Sequence, residues 1–510
     1  VFSAPRSRPM QPAVAAALLI LTSATAMQAQ QAPASLTLEQ AIELARRNNP
    51  EFLSQVNDEA ESEWAVREAY GALVPSASVS GTLQYQAPGS QRIGIYTADD
   101  IGVGGIRTGY LVSGYSLGMT YRLGAETLLR PGQEKANRRA VRARIEAAEF
   151  DLATVVTRQY LAVLRAQDGV DLARQELQRA EENYKLAEAR VSVGAAIALE
   201  AKQAEVERGR AEVELLKAEN LRRAELLRLI EQIGIEFDRD ISLTSAFPIF
   251  EPRWTVEELV ARAIDRHPQL RALRAAEDAQ NAAVRMARSQ YLPTLDLSLG
   301  WSGFAREMTN DDVLLQQARS EMEGRRESCI AANEILSRLN PPLPAQDCSG
   351  FVLTPDQESR LLARNNVFPF DFTKEPFSAQ LRISLPLFNG FSRERRIEAA
   401  RVAADDARLS LRREELRLRT EVATAYQNLE TAYRAATLEE RNRDLAGEQL
   451  NLARERYSVG AVSFVDLLEA ETLKARADRA YLNSIYAFHE SLAALESAIG
   501  QKLEIPQESR

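Results

Sequence analysis

Two periodicities alternate along this chain. In four segments apolar and polar residues alternate strictly. Ser76 to Gln86 sets Ala77, Val79, Gly81, Leu83 and Tyr85 on one face and Ser76, Ser78, Ser80, Thr82 and Gln84 on the other. Tyr115 to Leu123 sets Tyr115, Leu117, Met119, Tyr121 and Leu123 against Ser116, Gly118, Thr120 and Arg122. Thr294 to Phe304 opposes Leu295, Leu297, Leu299 and Trp301 to Thr294, Asp296, Ser298 and Ser302. Phe377 to Leu387 opposes Phe377, Ala379, Leu381, Ile383 and Leu385 to Ser378, Gln380, Arg382 and Ser384. A period of two with one clean polar face predicts a sheet that is dry on one side and wet on the other. Lengths of 9 to 11 residues suit tilted strands crossing a bilayer, and an ordinary half-buried sheet is the alternative.

The rest of the pattern is mostly helical. Residues 133 to 192 contain no Pro and are rich in Ala, Glu, Arg and Leu. After a break at Ser192-Val193-Gly194-Ala195, a return helix is predicted over residues 196 to 233. Residues 392 to 458, a break at Ser458-Val459-Gly460-Ala461, and residues 462 to 499 repeat that form. Gly at each break fits a helix C-terminus or a tight turn, so each pair predicts a long hairpin. A long arm would reach about 90 Å and a return arm about 57 Å. Helices predicted over 51 to 73 and 269 to 291 would add about 35 Å each, so two short helices end to end match one long arm. Apolar positions such as Leu445, Leu450, Leu452, Ala453, Tyr457 and Val459 suit side-by-side packing of the coiled-coil kind. The charged faces read as solvated.

The same plan occurs twice. Thr37-Leu38-Glu39 reappears as Thr255-Val256-Glu257, Pro50 as Pro268 and Pro75 as Pro293, all at an offset of 218. Farther on, Tyr160 matches Tyr426, Leu186 to Ala195 matches Leu452 to Ala461, and Gly234 matches Gly500, at an offset of 266. The second copy therefore carries 48 extra residues between Pro293 and Tyr426. A unit of about 200 residues is far longer than a solenoid repeat. The expected map is a first copy at 30–234, a linker at 235–253, a second copy at 254–500 with an inserted loop at about 305–375, and a tail at 501–510.

Composition narrows the function. A formal net charge of −9 argues against a nucleic-acid partner. The two His, His267 and His489, stand apart from any metal-ligand cluster. With no nucleophile elbow, phosphate loop or metal motif, neither an enzyme nor a cofactor is expected. Arg6 and Arg8 precede an apolar run from Pro12 to Leu21 and small residues from Ser23 to Ala29. That order predicts a cleavable export signal over residues 1–29, cut after Ala29 or Ala26. No Cys follows the cut that could carry a lipid anchor, and no later stretch approaches the roughly 20 apolar residues of a membrane helix. Four strands cannot close a channel, because single-chain barrels begin at about eight, and bare sheet edges in lipid are costly. Several copies must pool their strands. Three would give about 12, an even number that suits a barrel, while the pattern alone leaves two or four copies open.

These residues resemble the TolC family of outer-membrane efflux proteins over 35 to 500. The resemblance rests on the duplication, the proline ending each pre-strand helix, and the tips Arg190-Val191-Ser192-Val193-Gly194 and Arg456-Tyr457-Ser458-Val459-Gly460. It rests also on Val465-Asp466-Leu467-Leu468-Glu469-Ala470 and on Leu385-Pro386-Leu387-Phe388-Asn389-Gly390 at a strand-to-helix transition. The resemblance implies a mixed α and β membrane protein: a homotrimer with a 12-stranded outer-membrane β-barrel continued by a long periplasmic α-helical barrel. The equatorial region would include 235 to 253 and 501 to 510. It further implies outer-membrane lipid around the barrel, a periplasmic adaptor (membrane fusion) protein, and an inner-membrane pump of RND, ABC or MFS type.

Residue roles follow from the resemblance. Val193, Gly194, Ala195, Val459, Gly460 and Ala461 would form the adaptor-docking tips. Glycines that merely end helices are the plainer reading. Asp466 and Glu469, three residues apart on one helix face, would make rings of carboxylates at a periplasmic gate, which favour cations. A solvated helix face is the alternative. The first copy has Glu200 opposite Asp466 but Gln203 opposite Glu469. Some relatives close the tip with an Arg two residues after the second-copy Gly, joined to a Tyr and a carboxylate. Here Tyr457 and Glu200 are present but that position is Val462, so the closing network uses other partners or is weaker. Cys329 and Cys348 fall in the insert, outside the cell in this topology, and suggest a disulfide; unpaired thiols are the alternative. The function expected is a passive exit duct. The alternatives are a structural coiled-coil protein of the envelope and a lone porin, which would not need such long hairpins.

Overall fold

The computed structural model describes residues 35–89, 92–93, 96–97, 108–236, 241–245 and 247–503. The expected export signal lies outside the described residues, as do residues 237–240 of the linker and 504–510 of the tail. In chain order the elements are β1 (Ser35–Leu36), α1 (Leu38–Asn48), α2 (Pro50–Gly71), β2 (Ser76–Gln86), β3 (Arg92–Ile93), β4 (Tyr96–Thr97), β5 (Tyr110–Gly124), α3 (Ala125–Ser192) and α4 (Ala198–Ile233). Then follow β6 (Ser242–Leu243), α5 (Val256–Arg266), α6 (Pro268–Arg288), a 3-10 turn (Ser289–Tyr291), β7 (Thr294–Met308), α7 (Asp311–Ser337) and α8 (Pro355–Asn365). The last are β8 (Thr373–Lys374), β9 (Ser378–Ser384), α9 (Ser392–Ser458) and α10 (Phe464–Ile499). Among the described residues no helix is long and apolar enough to cross a membrane.

The chain divides into two compact units. The first takes residues up to Pro50, Leu152–Glu251 and Glu430–Ala493. Its core gathers Leu36, Ile42, Val156, Tyr160, Leu229 and Ile233, all buried. Burying the Tyr160 phenol requires a partner for its hydroxyl; it donates to the Leu36 carbonyl at 2.8 Å. The two-residue strands β1 and β6 pair in parallel beside it. Gly234 ends α4 at φ 78°, and a Cβ there would lie 2.5 Å from the Asn48 carbonyl oxygen, so only glycine permits this close approach.

The second unit takes Glu51–Asp151, Pro252–Leu429 and the residues from Ala494 on. Ala136, Ala140, Ala279 and Ala282 pack α3 against α6; small side chains let helix backbones approach closely. Its antiparallel sheet runs β2-β5-β7-β9, with β8 also on β7. The register stacks the apolar positions into one continuous layer: Ala77, Met119, Leu299 and Ala379 face across the strands, as do Tyr121, Leu297 and Leu381. At one end Phe372 packs on Tyr115 of that layer, while along β2 and β9 every residue is exposed. Among the described residues β2 and β9 are also the two long strands with a bare edge.

Differences from the sequence reading are local. The strand expected at 115–123 runs from 110 to 124, the one at 294–304 extends to Met308, and the one at 377–387 shortens to 378–384. Pairing explains the first two, since β5 and β7 match residue for residue over their whole length. Helix α3 begins at Ala125 and passes through Pro131, whereas the Pro-free criterion started it at 133.

Between β7 and β9 the insert folds into α7 and α8. Cys329 and Cys348 are joined, with Cα atoms 5.8 Å apart. Arg319 binds Glu358 at 2.7 Å between the two helices. Asn365 clasps the end of β7 through both its amide and the Met308 backbone at 2.9 Å. Ser113 on β5 donates to the Pro369 carbonyl at 2.7 Å.

Candidate functional site

Both hairpins turn in the same way within the first unit. Gly194 and Gly460 stand at φ 72° and 79°, the left-handed region that glycine enters without steric cost. The flanking Val193 and Val459 are each 78% exposed. Ala195 and Ala461 are exposed as well, and their amides close the turns on the carbonyls of Arg190 and Arg456 at 2.8 Å. Each tip thus offers a bare valine on a tight turn.

Behind the second tip lies a small core of Ala187, Ala204, Leu450, Tyr457, Phe464, Leu467 and Ala470, with Val462 partly buried against it. Tyr457 is only 2% exposed and meets the Phe464 ring at 5.8 Å. Its hydroxyl donates to Glu200 Oε2 at 3.1 Å. The Arg190 guanidinium lies 4.3 Å over the Tyr457 ring and donates to the Tyr457 carbonyl at 2.5 Å. Burial, with the Glu200 hydrogen bond and charge adding to it, pushes the Tyr457 hydroxyl up to about 12, so the phenol stays a proton donor. Two residues of the first hairpin, Arg190 and Glu200, therefore hold one aromatic residue of the second.

Tyr457 and Glu200 were expected together from the sequence; Arg190 was not singled out. It is the cation that lies on the Tyr457 ring, where Val462 supplies none. Its signal lay in the tip sequence, but its partner is 267 residues away, which no local pattern reveals. Farther along the hairpins, Asn183 donates to Glu471 at 2.5 Å and Arg454 binds the same carboxylate at 3.1 Å.

Asp466 and Glu469 are both exposed on the first turns of α10. Among the described residues neither shares a hydrogen bond or charge interaction with Tyr457, whose partners are Glu200 and Arg190. Asp466 instead accepts from the Ser463 backbone amide at 2.9 Å and hydroxyl at 2.8 Å, while its own amide donates to Ser463 Oγ at 3.2 Å. This reciprocal pair caps the helix. The Ser463 bonds hold the Asp466 carboxyl below its ordinary range, so it remains charged.

A groove of about 570 Å³ runs between α3, α4 and α10, with Glu176, Arg179, Glu214, Glu471, Arg476 and Arg479 on its walls. Burial raises the Glu176 carboxyl, and Arg479, 3.2 Å away, and Arg179 oppose that rise. Lys474 pairs with Asp478, which also meets Arg179 at 3.6 Å. Among the described residues no group of His, Cys, Asp and Glu could hold a metal ion.

Known proteins can now be set beside this geometry. Protein CyaE of Bordetella pertussis is 24% identical over 351 residues, 67% of this chain and 62% of CyaE; the match thus spans under two thirds of that relative's length. The Campylobacter jejuni CmeC outer membrane channel superposes with a TM-score of 0.66 at 15% identity, over 92% of this chain and 87% of that one. The open state of the Neisseria gonorrhoeae MtrE outer membrane channel gives 0.64 at 17% identity, over 92% and 91%. Likeness at that identity shows a shared fold, mostly helical with a small sheet. The sequence profile described as Outer membrane efflux protein matches residues 41–234 and 356–501, most of the described chain. The chain belongs to the outer membrane efflux protein family.

Proposed function

We propose that this protein is the outer-membrane exit duct of a tripartite efflux or type I secretion system. One observation carries the reading: a sheet of four long strands and the short β8 whose apolar face is exposed along β2 and β9 and whose edges have no neighbour among the described residues. In lipid an apolar face is at home, but bare edges must be paired. Three copies, edge β9 of one on edge β2 of the next, make a closed barrel of about 12 strands with polar faces inward. The two hairpins of each copy then supply a periplasmic helical barrel, as two duplicated halves. The exposed valine turns dock a periplasmic adaptor, and an inner-membrane pump supplies energy and selects the cargo.

The tip contacts form the periplasmic gate. Arg190 and Glu200 on one hairpin hold Tyr457 on the other, and opening parts them, as expected of a bistable interface between helix pairs. Asp466 and Glu469 form carboxylate rings beside it that favour cations. Single-channel recording of the purified protein in planar bilayers tests the whole. Discrete conductance steps are expected, with cation preference reduced in Asp466→Ala combined with Glu469→Ala. A protein that never conducts is a structural coiled-coil component instead. A conducting double variant with unchanged selectivity removes the gate assignment alone.

A further inference from the structure

Charge on the polar face of the sheet sits at its two ends: Arg306 over the Tyr110 ring and Glu375 on Ser302 toward one, and a cluster near the helical end. Across the strands, Ser76, Thr120, Ser298 and Gln380 share a rung, Ser78, Gly118, Gly300 and Ser378 the next, and Ser80, Ser116 and Ser302 the one after. On the other side of the Ser76 rung stand Arg122, Asp296 and Arg382 in register. Arg122 Nε donates to Asp296 Oδ1 at 2.6 Å. Arg122 also feels Glu126 at the start of α3. Arg382, opposite Asp296 on edge strand β9, is exposed and has no ion-pair partner among the described residues. A cavity of about 600 Å³ opens on this level and is walled by Ser76, Arg122, Glu126, Arg130 and Asp296; Arg130 is itself bound to Glu68 at 2.7 Å.

We propose that Arg382 is an anion-contacting, selectivity-determining residue of the channel lumen. The proposal rests on the trimeric duct reading, which turns the polar face inward. Its own support is that this guanidinium has no ion pair among the described residues. Asp296 is committed to Arg122. The strand that would meet β9 across the seam, β2 of the next copy, reads SASVSGTLQYQ and contains no charged residue. Three free guanidinium groups therefore stand at one level of the lumen. A guanidinium fork binds carboxylate or phosphate oxygens two at a time, which an ammonium cannot do. The cargo class favoured at this level carries carboxylate or phosphate groups, the reverse of the preference set by Asp466 and Glu469. The field acts mainly at low salt, since screening shortens from about 10 Å at 0.1 M to about 3 Å at 1 M.

The test is single-channel recording in bilayers at about 0.1 M and 1 M KCl, with inorganic tripolyphosphate as blocker, on wild type, Arg382→Gln, Arg382→Lys and Arg382→Glu. At low salt Arg382→Gln is expected to raise the potassium-to-chloride permeability ratio about threefold, and Arg382→Glu more, with the difference fading at high salt. The tripolyphosphate concentration that halves the current should rise about tenfold in Arg382→Gln, and by less in Arg382→Lys, which keeps the charge but not the fork. Conducting variants whose permeability ratio and block equal the wild type overturn the role of Arg382 and leave the duct standing. A wild type that never conducts overturns the duct, and this proposal with it.

Discussion

The two hairpin tips share a turn and differ in everything behind it. Each is a helix of 67 or 68 residues returning as one of 36, through a glycine at positive φ and beside a valine exposed to the same degree. At positions 266 apart, however, Tyr457 stands for Val191, Phe464 for Ala198, Ser463 for Ile197 and Leu467 for Ala201. The second tip has an aromatic core and a capped return helix. The first has no side-chain cap, since Ile197 makes no capping bond; it lends Ala187 and Ala204 to the shared core and reaches across to Tyr457 with Arg190 and Glu200. Division of labour follows: the second hairpin is the anchored post and the first is the part that clips onto it. Identical turns preserve what a partner would read from outside, while the inner faces are free to diverge.

The largest expected effect breaks the post. Tyr457→Ala should remove about 3 kcal/mol of local stability, seen as roughly hundredfold faster amide exchange around 184–190 and 450–470, whereas Val191→Ala should cost about 1 kcal/mol or less. Equal effects at the two sites would erase the comparison.

A smaller effect concerns the clip. The Tyr457 hydroxyl titrates near 12, above its ordinary 10, because it is buried and bonded to Glu200. The folded tip holds that proton when a freed phenol would have lost it. Its contribution is therefore complete below pH 10 and is lost as pH rises through 12. Amide protection at the tips should fall over that window in wild type. Tyr457→Phe should lose about 1 kcal/mol at neutral pH and show no such alkaline fall. A Phe variant that tracks the wild type with pH would place the titration elsewhere.

The smallest effect exchanges the caps. Ser463→Ala should cost about 1 kcal/mol at the start of α10, and Ile197→Ser should gain some of that at the start of α4. Helix-start exchange rates in the two single variants measure both. A gain at Ile197 larger than the loss at Ser463 would mean the first tip is strained, not merely uncapped.

Much of this organisation was legible in the sequence because it is periodic. The helices on both sides of Gly194 and Gly460 were placed within two residues at the turn, since glycine punctuates a run of strong helix formers. The polar and apolar faces of β2, β5, β7 and β9 followed from alternation alone. What escaped depends on partners distant in sequence. The extra residues of β5 and β7 pair with each other and break the alternation, with Ser113, Gly114 and Ala305 among them. Pro131 marked a stop because proline costs a helix interior about 3 kcal/mol, yet α3 continues through it. Arg190 sat in plain view in the tip motif, but its role depends on a residue of the other hairpin. Ser463 and Asp466 were a different kind of miss, since a hydroxyl followed three residues later by a carboxylate is a local capping signature that the gate reading overlooked.

The open sheet has a consequence for how the protein reaches maturity. A lone copy carries two rows of unsatisfied backbone donors and acceptors, flanking an oily face. Such a surface is sticky in water and unfinished in lipid. In the proposed trimer both missing neighbours are other chains, so no amount of waiting lets one chain repair it. In that trimer, insertion and assembly become a single event whose rate climbs steeply with local copy number, and the lone copy before it is the most vulnerable form the protein ever takes.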